Sequence, residues 1–62
     1  MTKAERMLGN RLERMERALV SCRLALGDGN LRRMLRQYDL LCKLKYDADT
    51  LLGEVMQDGD AG

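Results

Sequence analysis

The chain has no histidine, no proline, no tryptophan and no phenylalanine among its 62 residues, and its only aromatic side chains are two tyrosines. Each absence excludes something. Without histidine there is no imidazole to act as a general base, and the usual zinc ligand sets cannot be assembled from the two cysteines, Cys22 and Cys42. Serine occurs once, as Ser21, and the acidic residues alternate with basic ones along what read as solvent-facing helix sides. Neither a nucleophile with its base nor a carboxylate couple presents itself. The chain is therefore expected not to be an enzyme and to carry no cofactor and no metal. The lack of proline and the scarcity of aromatics suit uninterrupted helices and argue against a sheet. No apolar run approaches the roughly 18 to 20 residues of a membrane span, and the basic start lacks the apolar core of a secretory signal, so a cytoplasmic location is expected. Thiols stay reduced there, although the sequence leaves open whether an antiparallel hairpin brings Cys22 and Cys42 close.

What is present is 45% hydrophobic and 34% charged residues, in a chain long enough for one domain at most. The net charge of +1 is unevenly placed. Nine basic residues face four acidic ones up to Arg36, and two face six from Gln37 onward, giving +5 and then −4. Such a split can steer a nucleic acid or an acidic protein surface towards one end, or can simply be a solvated helix exterior.

Thr2-Lys3-Ala4-Glu5 is a capping box, in which the threonine oxygen and the glutamate satisfy each other's backbone amides, so a first helix is expected from residue 3 to 26. Leu8, Leu12, Met15, Leu19, Cys22 and Leu26 recur at alternating spacings of four and three, a heptad seam on one side of that helix. Gly9-Asn10 weakens the first two turns, and Val20 with Leu24 makes a small second patch. Gly27, Asp28, Gly29 and Asn30 then form the turn, glycine supplying left-handed backbone angles and the short polar side chains supplying caps. Arg32 and Arg33 sit at the positive end of the next helix dipole, an unfavourable place that local propensity did not choose.

The second helix is expected over residues 31 to 57, with 58 to 62 as a disordered tail, which makes the whole an all-α, antiparallel, coiled-coil-like two-helix hairpin over 1 to 57. Its stripe of Leu31, Met34, Tyr38, Leu41, Ala48, Leu52 and Val55, broken only by Lys45, can face helix one. At about 100° per residue, Leu40, Leu44 and Leu51 project away from that stripe, with Val55 on the border and Leu35, Cys42 and Met56 on the other flank. Apolar groups thus wrap more of helix two than one companion helix can cover. Which stripe faces helix one is not decided by the pattern, since both are apolar. The leftover surface reads as a partner-binding site, assigned to Leu40, Leu44, Leu51 and Val55, with Leu8 and Leu12 added at the weakened end of helix one.

Ala18-Leu19, Cys22-Arg23, Leu26 and Gly29, with Met1-Thr2, Glu5, Leu8 and Asn10 before them, resemble the first helix and turn of the small YscE and PscE proteins of bacterial type III secretion. The likeness covers residues 1 to 30, and the rest only in pattern. It implies a helical hairpin that docks on a tetratricopeptide-repeat chaperone, the pair keeping the needle subunit unpolymerised in the cytoplasm. A marginal hairpin with a spare apolar face suits that role, because docking stabilises the folded form by mass action. Two other readings stand beside it. Two hairpins can pair into a four-helix bundle, as in the RNA-binding regulator Rop, which has nearly this length and also begins Met-Thr-Lys; the arginines of helix one would then meet phosphates, although no aromatic interleaves Arg6, Arg14 and Arg17 to stack on bases. The third is a self-associating helical bundle without a ligand.

Overall fold

The computed structural model describes residues 1 to 61, with side chains to residue 57. It is two α-helices, α1 (Lys3–Gly27) and α2 (Leu31–Ala61), folded back on each other into a rod of 48 × 16 × 12 Å. The expected hairpin is therefore found. Helix α2 runs past residue 57, since no proline stops it and each further turn adds hydrogen bonds to a helix already nucleated. The expected tail from 58 onward lies outside the residues whose side chains are described.

Both helix starts follow from capping chemistry. The Glu5 amide donates to Thr2 Oγ1 at 3.2 Å and the Thr2 amide donates to Glu5 Oε1 at 3.1 Å, closing the reciprocal box. The hydrogen bond from the Thr2 backbone, with the threonine side chain second, holds the Glu5 carboxyl below its ordinary value. At the other end, the amides of Asp28, Gly29 and Asn30 donate to the carbonyls of Leu24, Leu26 and Ala25 at 3.0, 3.1 and 2.9 Å, which uses up the last carbonyls of α1. Gly29 makes this possible with φ of 74°, in the left-handed region. Asn30 then caps α2, accepting from the Arg33 amide at 3.1 Å through its side chain. Thus all four turn residues expected from the sequence lie in the turn region, with Gly27 as the last residue of α1.

The seam between the helices is not the one that the leucines of α1 suggest. Its buried residues are Ala18, Cys22 and Ala25 on α1 and Leu44, Ala48 and Leu51 on α2. Half-buried residues complete two strict heptad lines: Ala4, Leu8, Arg11, Met15, Ala18, Cys22 and Ala25 on α1, and Met34, Gln37, Leu41, Leu44, Ala48, Leu51 and Val55 on α2. The Cys22 thiol approaches the Met34 carbonyl at 3.6 Å and Arg11 Nε approaches Asp47 at 3.8 Å, which fixes the antiparallel register. Ala18, Cys22 and Ala25 keep the α1 side of the seam small, and the larger Leu44 and Leu51 fill it from α2, so the backbones come close.

This packing is thin. Among the described residues no side chain is fully buried, and three of the six buried residues are alanines. Among the described residues, Leu44 and Leu51 are the large aliphatics buried enough to approach the roughly 1.5 to 3 kcal/mol of a core leucine. The ion pairs add little: Arg17–Glu13, Lys43–Asp39 and Lys45–Asp49 are exposed pairs four residues apart, worth about 0.3 to 0.5 kcal/mol each.

Candidate functional site

The alanine-lined seam turns a second heptad stripe outward. On α1 this is Leu12, Leu19 and Leu26, at 51, 55 and 56% exposure, each one residue beyond a seam position. On α2 it is Leu31, Tyr38 and Leu52, again each one residue beyond the inward line, with Lys45 in the fourth slot. Leu35, Cys42 and Met56 flank it and are exposed too. A groove between the helices on this side is lined by Leu12, Met15, Leu19, Tyr38, Leu41 and Cys42, with Glu16 and Lys45 as its only charged residues. We call this side the leucine face. Its exposed apolar groups run along much of the rod, whereas scattered single exposures would need no explanation.

The opposite side differs in kind. Arg14, Arg17, Ser21, Gln37 and Leu40 line its groove, with Ala18 and Leu44 at the bottom. Arg33, one heptad before Leu40, and Arg36 continue the basic character towards the turn. The hairpin therefore presents one apolar and one arginine-rich side, and the arginine pair at the start of α2, unfavourable for the helix itself, falls within the basic region and its edge.

Five of the six residues assigned to partner binding from the sequence do not lie on the leucine face. Leu44 and Leu51 are 8% exposed and form the seam with α1, which corrects their assignment as free surface. Val55 and Leu8 are half-buried ends of the two heptad lines, so they too belong mainly to the hairpin's own packing. Leu40 is exposed but stands on the arginine-rich side. Leu12 alone falls on the leucine face. Conversely, Leu19, Leu26, Leu31, Tyr38 and Leu52, taken from the pattern as inter-helix contacts, point out. The signal that identifies the true seam is the alanines: Ala4, Ala18 and Ala25 lie on one heptad line of α1, and Ala48 lies on the line of α2 that carries Leu44 and Leu51.

The cysteines also separate. Both are free; Cys22 is buried in the seam and Cys42 is exposed on the leucine face, so they serve different surfaces. Among the described residues no three His, Cys, Asp or Glu side chains gather as a metal site, and no helix is long and apolar enough to cross a membrane. No protein-family model, curated protein or solved structure matches this chain.

Proposed function

We propose that the chain is a docking protein, a small co-chaperone whose leucine face seats on a helical partner. What carries this reading is the continuous exposure of Leu12, Leu19, Leu26, Leu31, Tyr38 and Leu52 on a hairpin whose own seam is mostly alanine. An amphipathic helix or helix pair lays such a stripe into the groove of a helical repeat, and the resemblance to the YscE and PscE proteins points to a tetratricopeptide-repeat chaperone that holds a type III secretion needle subunit unpolymerised. Partner binding then supplies burial that the hairpin lacks by itself, and the folded form gains stability by mass action.

The test is co-expression with the tetratricopeptide-repeat chaperone of the same secretion system, followed by co-purification. Leu19→Glu places a charge in the middle of the apolar stripe and is expected to abolish capture while the helical signal of the hairpin is kept. Arg14→Glu, on the other side, is expected to leave capture intact. Capture that survives Leu19→Glu and fails with Arg14→Glu would put the contact on the opposite side. The clustering of Arg14, Arg17, Arg33 and Arg36 there favours a second reading, binding to an RNA backbone. That reading requires a salt-dependent shift with RNA, and Tyr38 is not beside those arginines to stack on bases, because it lies on the leucine face.

A further inference from the structure

The leucine face carries information about which occupant fits it, in its two charged residues. Glu16 stands on the α1 side of the groove and Lys45 on the α2 side, at neighbouring levels of the rod, and everything else lining the groove is apolar or a thiol. Lys45 is held by its own Asp49 at 3.0 Å, and Glu16 has no ion pair among the described residues. A surface with an anion on one helix and a cation about one turn away along the rod on the other, an offset that the long Glu and Lys side chains span, is complementary to itself under one particular rotation. A two-fold axis running along the rod lays α1 of one copy over α2 of the other at constant height. Each Glu16 then meets the other copy's Lys45, twice per pair.

We propose that, when no other partner is bound, the leucine face closes on a second copy of this chain around that axis, turn beside turn, as a four-helix bundle. The apolar layers agree with this geometry. Nearest the turn, Leu26 and Leu31 from both copies make a layer of four leucines; the next layer is Leu19 and Tyr38 from each, and Leu12 with Lys45 follows. The same overlay brings the basic first half of α1 over the acidic second half of α2. The other closed arrangement, with the axis across the rod and turn against tail, stacks α1 on α1 and brings Glu16 towards its own symmetry mate, where like charges repel in a poorly hydrated groove. Eight half-exposed large apolar side chains per copy offer on the order of 800 Å² to the contact, the usual area per partner of a stable interface. This inference shares its surface with the docking function and adds a second copy as the default occupant, which a chaperone must displace.

Sedimentation of the full chain across micromolar concentrations tests it. A dimer is expected. Glu16→Lys and Lys45→Glu should each raise the dissociation constant at least about tenfold, because each leaves two like charges facing across the groove. The double variant E16K/K45E should recover to within about threefold of the parent, since it restores the pairing with signs exchanged. Orientation is read with Asn30→Cys in a Cys42→Ser background: a short bismaleimide linker should join two copies at their turns, which a turn-to-tail pair would hold apart by most of the 48 Å rod. A folded monomer at all concentrations, a double variant no better than the singles, or no linking at the turns would overturn the proposal. The parent chain separates the two readings: a folded monomer that still captures the chaperone sinks the dimer alone, and a dimer that fails to capture the chaperone sinks the docking function alone.

Discussion

Leu44→Ala is the substitution whose outcome depends most directly on which stripe faces inward. Leu44 is 8% exposed and lines the groove beside Ala18. Truncating a buried leucine to alanine costs about 2 to 5 kcal/mol, the lower part of that range applying where neighbours can collapse into the gap. A two-helix seam open on both sides collapses easily, so about 2 to 3 kcal/mol is expected. A hairpin of this size holds only about 3 to 5 kcal/mol in total, so the variant loses roughly half or more of its stability. With a urea slope of about 1 kcal/mol per molar, the midpoint of the helical signal should fall by about 2 to 3 M. The control is Leu19→Ala, which removes the same atoms from a residue 55% exposed. Measured at concentrations low enough for the monomer, it should shift the midpoint by less than about 0.5 M, because exposed substitutions stay within roughly 0.5 kcal/mol. At high concentration the control should also lose stability, through the dimer. An unchanged midpoint for Leu44→Ala with a large fall for Leu19→Ala would mean that the leucine stripe lies in the seam, and the docking surface derived from its exposure would go with it.

Two further expectations concern the ends of α1. Gly29→Ala puts a Cβ at φ of 74°, where an L-residue is strained by roughly 1 to 2 kcal/mol, although no atom lies within 4 Å of it; the thermal midpoint should drop by several degrees with helix content otherwise intact. The Glu5 carboxyl is depressed below its ordinary value of 4.5, so its contribution is complete above that value and is lost as pH falls through the lower folded-state value. The protection of the first-turn amides of α1, their intrinsic exchange rate divided by the observed rate at the same pH, should therefore weaken in acid for the parent chain, and much less so for Glu5→Gln, which cannot titrate.

The hairpin was legible because its signals are local. A capping box and a glycine-bracketed turn each act within a few residues and are found where the sequence puts them, and heptad spacing over both arms makes them helices. The orientation of the stripes was not, for a physical reason. Leu12, Leu19 and Leu26 outrank Ala18, Cys22 and Ala25 on any transfer scale, so the more hydrophobic line looks like the core. Close approach of two helices instead rewards small side chains opposite large ones, a property of pairs that no single residue displays. Leu44 and Leu51 looked like spare surface for the same reason, since the projection was measured from Leu31, Tyr38 and Leu52, which are themselves outside.

Lys45 supplies the argument for why this stripe and not the other turns inward in a lone hairpin. Rotating α2 by about one residue would bring Leu31, Tyr38 and Leu52 against α1 and carry Lys45 into the middle of the seam. There its ammonium would lose water with no carboxylate of α1 at its own level, Glu16 standing about one turn closer to the hairpin turn, and that penalty exceeds what a few extra half-buried apolar groups offset. With the alanine line inward, the charged residue that enters the seam is Arg11, near one end, where its stem lies along the seam and its guanidinium reaches out towards Asp47 at 3.8 Å. A single lysine in an apolar heptad thus selects the thinner core. It keeps the leucines outside, and it marks the height at which an acidic group on whatever covers them must stand.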